Sequence, residues 1–480
     1  MKIKIILLIS ALILTQGCSN DFINLAPVSQ LNANNFYKTA EDFENAVNAV
    51  YDNLQNGNQY GDLLIFFGEV RSDNTTTQSI GGAGLDAAYF DIDFFRVNTL
   101  NPLVANLWTF SYRGISLANI VIGRAPTADF NPQLKERVIA EAKFIRALTY
   151  FNLVRIYGEV PLVLNEVLDP REGLAHRRQS VDLIYDQIIE DLLDAEEGLS
   201  VSYSGMNLGR ATKGAAMSLL GKVYMTLGQY ADAESKLREV IDLNVYQLLD
   251  DYANVFDPAN ANHAEIVFEV KFKKGGIGEG SSFFNQFSPA EIGNIVTGAG
   301  SGLGRNLPTE DLLNAYEAND LRKEASIIPG YTNSAGNFVS FPFCGKFTDT
   351  PFLPGDTNDN WPVLRYADVL LLYAEAINEN NGGPNINAYT YLNEVRQRAG
   401  LPIVENLNYE QFKLAVENER RIELAFEGHR WFDLLRKGRA FEVMSQKGYD
   451  IENPRDLLLP IPQSQIDVNP GGLTQNIGYF

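Results

Sequence analysis

The chain has 480 residues, 45% of them apolar and 21% charged, with a formal net charge of −21. A body this acidic repels phosphate backbones and anionic lipid, which argues against nucleic acid as a ligand and against a basic membrane-binding patch. Its two cysteines are too few for a disulfide framework, so stability must come from the large core that a chain of this length can bury.

At the N-terminus, Lys2 and Lys4 precede an apolar run from Ile5 to Leu14. The run is too short for a membrane span, which needs roughly 20 residues, and fits a secretory signal. Small Gly17 stands just before Cys18. The arrangement resembles the bacterial lipoprotein box, whose cysteine is lipidated and becomes the new N-terminus; Gln16 departs from its stricter form. Residues 1–17 are thus expected to be a lipoprotein signal peptide, Cys18 the lipid attachment point and 18–35 a polar tether. A plain secretory signal with an incidental cysteine is the alternative.

Helical periodicity begins near Asn34, where Ala40, Phe43, Val47, Val50 and Leu54 form one apolar face. Residues 56–100 lose that period. They hold Gly81, Gly82 and Gly84 and a crowd of aromatics (Tyr60, Phe66, Phe67, Tyr89, Phe90, Phe94 and Phe95), and read as a long loop of the kind that usually serves a function. Helix returns at 103–123, at 131–157 (stopped by Pro161) and at 180–197. Residues 214–245 carry the spacing of a tetratricopeptide unit: Gly221 and Ala233 let two antiparallel helices approach, and Tyr224 and Leu237 fill the space beside them. A similar alternation of small and aromatic residues marks a helix pair over 131–157 and another over 364–400. Residues 265–272 alternate as a strand. Residues 274–306, rich in glycine and serine, and 329–362 read as irregular insertions. Cys344, in Phe341-Pro342-Phe343-Cys344, reads as a buried small hydrophobe. Residues 410–437 form a charge-dense helix, and Leu457 to Pro462 reads as a docked extended segment.

Several motifs, in this order, resemble one family. They are the lipoprotein start; Val70-Arg71-Ser72-Asp73-Asn74; Trp108 through Arg113 to Asn119; Ala140 to Ala147; Leu364 to Leu371; Glu419-Arg420-Arg421-Ile422-Glu423 continuing through Phe426-Glu427-Gly428-His429-Arg430-Trp431-Phe432-Asp433-Leu434; and Leu459-Pro460-Ile461-Pro462. Together they resemble the SusD/RagB lipoproteins of Bacteroidetes. The resemblance implies a mostly α fold of about four tetratricopeptide-like helix pairs forming a scaffold, with long irregular loops and a few short β-hairpins. An N-terminal region over 36–245 and a C-terminal region over 246–480 would complete one globular unit. It implies lipid anchoring in the outer membrane, facing outward, no catalysis, and a SusC-like TonB-dependent transporter as partner. The ligand would be an oligosaccharide or, alternatively, a peptide.

Sugar capture needs aromatic faces and flanking hydrogen-bonding groups. Asp73, and Phe94 and Phe95 with Asn98, stand where some family members place sugar-contacting residues; phenylalanine here replaces tryptophan. Phe283 and Phe284 in the glycine-rich insertion and Trp361 at a loop-to-helix junction are further candidates, whereas Trp108 and Trp431 read as core. Arg420, Glu423, Glu427 and Arg430 share one helical face, and Glu417 and Arg421 are spaced four apart, as ion pairs within a helix. A hydrolase would need an acid–base pair such as Glu69 with Asp91 or Asp93. His176, His263 and His429 lack metal-ligand spacing, so no metal or cofactor is expected.

Overall fold

Helix boundaries follow local capping chemistry. In the computed structural model, which describes residues 36–78, 85–290, 292–449, 451 and 454–479, the first helix is α1 (Ala40–Gln55). It starts at a reciprocal capping box between Thr39 and Asp42 and buries Phe43, Val47, Val50 and Leu54, the face its periodicity marks. The expected signal peptide, Cys18, the tether and Gly81, Gly82 and Gly84 lie outside the described residues. After α2 (Leu85–Asp93) come α3 (Pro102–Arg124) and α4 (Pro132–Tyr157), each opened by an asparagine cap followed by proline. Ser180 caps α5 (Val181–Gly198), and Thr212 caps α6 (Lys213–Leu227). The chain then forms α7 (Tyr230–Asp242), α8 (Tyr366–Asn381), α9 (Ile386–Arg398), α10 (Tyr409–Glu423) and α11 (Arg430–Arg436).

These helices pack as a row: α1 on α3 and α4, then α3 on α4, α4 on α5, α5 on α6, α6 on α7, α7 on α8, and α8 on α9 and α10. The fold is mostly helical on a tetratricopeptide-like scaffold. At the α6–α7 contact a Cβ on Gly221 would lie 2.6 Å from Leu237 Cδ2, so the small residue does set the approach. The pair expected over 131–157 is instead a single helix of 26 residues whose neighbours are α1, α3 and α5. From Ala140 onward it is buried on nearly all sides, Glu141 and Arg146 included, which blurs the one-sided pattern of a surface helix.

The strands pair antiparallel: β1 (Thr75–Thr76) with β5 (Leu307–Pro308), β2 (Val160–Pro161) with β3 (Arg178–Gln179), β4 (Ile266–Val270) with β8 (Trp361–Arg365), and β6 (Ile327–Thr332) with β7 (Phe338–Cys344). The β6–β7 hairpin occupies much of the stretch that reads as loop over 329–362. One apolar core runs from Phe43 to Leu473 and includes Trp108, Trp431 and Cys344. Burial pushes the Cys344 thiol up to about 12. The closing segment is docked as expected: Leu459 N–H donates to Ile156 O at 2.8 Å, and Leu459 and Ile461 are buried.

The charge-dense C-terminal helix is broken. Phe426 (φ 70°) and Gly428 (φ 79°) turn the chain between α10 and α11. Its charges therefore pair across the molecule and not along one helix. Arg365 donates to Glu265 at 2.8 Å, Glu423 at 3.0 Å and Glu427 at 2.7 Å. Arg398 and Arg322 reach Glu423 at 2.6 and 3.1 Å, and Arg420 holds Asp368 at 2.7 Å. Burial alone would raise the pKa of Glu423, but Arg398, Arg365 and Arg322 outweigh it and hold the carboxyl well below its usual range.

Candidate functional site

Two irregular segments far apart in sequence, 60–101 and 274–306, meet at the β1–β5 ladder. Thr75 pairs with Pro308 and Thr76 with Leu307. Just beyond, Gln78 N–H donates to Gly304 O at 2.6 Å, and Gln78 Oε1 accepts from Ala290 N at 3.0 Å. Arg305 completes the join. Its guanidinium lies 3.6 Å from the Tyr89 ring centroid and donates to Asp86 at 3.1 Å and to Gln286 at 2.6 Å. The Tyr89 hydroxyl in turn donates to Asp62 at 2.5 Å. Burial raises Asp62 to about 6, against the pull of Arg305 and the Tyr89 hydrogen bond. Asp93 is likewise raised by burial to about 6, although Thr76 and Thr77 donate to it.

What these contacts position is α2, a helix in a stretch that reads as loop. Its exposed edge carries Phe90, one turn before Phe94. The two rings stack with centroids 4.1 Å apart and planes 26° from parallel, and both are half-buried. The exposed Arg96 lies over both rings, 5.5 Å from Phe94 and 5.9 Å from Phe90. Asn98, four residues after Phe94 in the chain, is exposed, and its side-chain oxygen accepts from Leu100 N at 2.9 Å. Phe90 goes unmarked as a site residue in the sequence reading, although the four-residue spacing of Phe90 and Phe94 puts both rings on one helical face.

Phe95 turns the other way. Its backbone is left-handed (φ 56°), a conformation disfavoured for a bulky residue, and its ring packs on Trp431 and Tyr449 with Arg71 over its face at 4.8 Å. Four other candidates are buried, and their expected exposure to ligand is corrected. Asp73 is 2% exposed and forms a two-pronged ion pair with Arg430, at 2.7 and 2.9 Å, and a third contact with Arg421 at 3.0 Å. Burial alone would raise its pKa, but Arg430, Arg421 and Lys447 hold it below the ordinary carboxylate value. Trp361 lies in β8, stacked on Phe347 at 5.1 Å, and Phe283 packs against both in the core. Phe284 packs with Leu307 and Phe343 beneath the glycine-rich segment.

Glu69 and Asp93, two of the three carboxylates considered for hydrolysis, have structural partners. Glu69 accepts from Asn74 and from the N–H groups of Phe426 and Gly428, each at 2.9 Å, which ties the segment before β1 to the turn between α10 and α11. Asp93 fastens β1 to α2. Among the described residues no cluster of three or more His, Cys, Asp or Glu could hold a metal ion, and no helix is long and apolar enough to cross a membrane.

Comparison with known proteins places this arrangement. A family model described as "SusD family" matches residues 328–479, and one described as "Starch-binding associating with outer membrane" matches residues 21–225. SusD-like protein P25 of Formosa agariphila is 29% identical over 98% of each chain. A SusD-like protein of Bacteroides ovatus is 26% identical over 91% of this chain and 82% of its own. Among solved structures, a laminarin binding SusD-like protein is 29% identical with a TM-score of 0.79, covering 92% of this chain and all of that one. Surface glycan-binding protein A from Bacteroides fluxus is 25% identical with a TM-score of 0.81, again over 92% and 100%.

Proposed function

We propose that this chain, which belongs to the SusD family, is a non-catalytic cell-surface lipoprotein that binds oligosaccharide and delivers it to a SusC-like TonB-dependent outer-membrane transporter. The observation that carries the glycan reading is the stacked, half-buried Phe90–Phe94 pair, an apolar step with Arg96 over it and the exposed Asn98 four residues on in the chain. A pyranose ring has an apolar face of CH groups and a rim of hydroxyls, and such a step accepts the first while polar neighbours bond the second. The laminarin-binding relative supports the same ligand class. The description of the N-terminal family model supports outer-membrane association. Cys18, set behind a short apolar run, would supply the anchor by acylation, and the helix row would hold the aromatic step rigid over the transporter mouth. Binding energy here needs no bond to be broken, in keeping with Glu69 and Asp93 serving structural partners.

The test is binding of the soluble chain, without Cys18, to a glycan array followed by calorimetry on the best ligand. Phe94→Ala is expected to weaken affinity about 5- to 30-fold, equivalent to about 1–2 kcal/mol of ring contact. Unchanged affinity in that variant, or no glycan bound on the array, would remove the reading. For the anchor, labelled fatty acid should enter the native chain and not Cys18→Ala. For delivery, solubilised membranes should yield a β-barrel transporter with the tagged protein.

A further inference from the structure

A cavity of about 370 Å³ lies between α3, the loop after β2 and the C-terminal turn. One wall is Trp108, Tyr112 and Ile115 of α3; facing it are Asn165, His176 and Gln465. The volume falls in the range of small-ligand pockets, about 300–1,000 Å³. Its walls are fixed by side-chain bonds to backbone. The Tyr112 hydroxyl donates to Pro161 O at 2.7 Å, Asn119 Nδ2 to Val163 O and Asn165 O, and Asn469 Nδ2 to His176 O at 3.1 Å.

Two features define what fits. First, among the described residues that line it there is no Asp, Glu, Lys or Arg, although the chain carries 60 acidic and 39 basic residues. A charged ligand would be desolvated there without a counter-charge. Second, the half-buried side chains of His176 and Gln465 make no hydrogen bond to any other described residue, Asn165 is exposed at the rim, and the half-buried Tyr112 offers ring surface with the buried Trp108 behind it, their centroids 5.1 Å apart. A purely apolar ligand would strip water from His176 and Gln465 and return nothing. A ring with an apolar face and several hydroxyls satisfies both the Tyr112 ring and the polar groups of His176 and Gln465. We infer that this cavity is a second carbohydrate site, selective for an uncharged pyranose, independent of the Phe90–Phe94 step.

The lining residues of α3 lie roughly 10–20 Å along the helix from its first turn, at 1.5 Å per residue, so the site is distinct from the residues around Phe94. A long neutral glycan seated at both would gain by effective concentration.

The test uses the soluble chain and saturation-transfer NMR with methyl β-glucopyranoside, with glucuronate as the charged control. Thr109 is exposed at the cavity mouth, so Thr109→Trp fills it without disturbing the core; Gln465→Ala is the second variant should the first not fold. Methyl glucoside is expected to bind the wild type and Phe94→Ala alike, and at least about tenfold more weakly in either cavity variant, with glucuronate giving no signal. Wild-type transfer to a well-folded Thr109→Trp and Gln465→Ala, or its absence from the wild type at about 10 mM, where a millimolar site is filled, would overturn the inference. Loss in Phe94→Ala alone would also overturn it while leaving the aromatic step as the sugar site. Survival in Phe94→Ala with loss in the cavity variants would sustain it even if that step bound nothing.

Discussion

Replacing Asp73 with asparagine separates two roles that the sequence alone leaves open, a sugar-binding acid and an internal strut. The substitution keeps the shape and removes the charge. In the fold the carboxylate is 2% exposed and takes two bonds from Arg430 and one contact from Arg421. Removing one member of a buried ion pair costs about 3–5 kcal/mol, because the charge left behind stays buried. Both arginines keep a second partner here: Arg430 has Glu417 at 3.2 Å, and Arg421 has Asp311 at 2.6 Å, the latter at the surface. The expected loss is therefore nearer about 2–4 kcal/mol, read as a lower urea midpoint. The pH dependence follows from the lowered folded pKa. The native carboxylate contributes stability in full above its unfolded value of about 4 and loses it as pH falls through the lower folded value. The gap between native and Asp73→Asn stability should thus be widest at neutral pH and close below pH about 4. Glycan affinity of the folded variant should match the wild type. Unchanged stability together with lost binding would refute the strut and restore the ligand role.

Other consequences are more local. Gly221→Val places a branched side chain where even a Cβ lies 2.6 Å from Leu237, and should cost about 1–3 kcal/mol of stability by overpacking, with partial recovery in the double variant with Leu237→Ala. Cys344, 1% exposed with its thiol pushed up to about 12, should resist alkylation in the native protein and react fully in denaturant, as mapped by mass spectrometry.

The parts of the fold that are legible in the sequence are those with local causes. The faces of α1 and α5 follow from residues three and four apart, and the α6–α7 approach from one glycine. The parts that are not legible depend on partners hundreds of residues away. Asp73 beside Arg71 looks like a ligand acid until Arg430 closes on it. Trp361 follows a polar, asparagine-rich run and looks like a rim residue, yet β8 pairs with β4 and lays the indole on Phe347. In α2 the helical stripe is obscured because Tyr89, Ile92 and Asp93 all face inward, the tyrosine and the acid satisfied by Asp62, Thr76 and Thr77. The two-residue β1–β5 ladder, which builds the candidate site, has no sequence signal at all: its strands are too short to show a period.

The same buried pairing bears on what the surface attracts. Arg322, Arg365 and Arg420 each pair with acids inside the molecule, so these cations are not displayed on the surface of a chain whose net charge is −21. At the aromatic step Arg96 faces Asp91, whose pKa burial raises and Arg96 lowers, so the edge is locally balanced. The cavity beside α3 carries no Asp, Glu, Lys or Arg among its described lining residues. A neutral glycan would then gain nothing from long-range attraction, and a polyanionic one would be repelled on approach by the surrounding acidic surface. Salt tests this directly, because the screening length falls from about 20 Å at 0.02 M to about 4 Å at 0.5 M. Affinity for a neutral oligosaccharide should change less than about twofold across that range, while any residual affinity for a polyuronate should rise. Binding that is tightest for the polyuronate and collapses with salt would place a basic patch at the site and overturn this account of its selectivity.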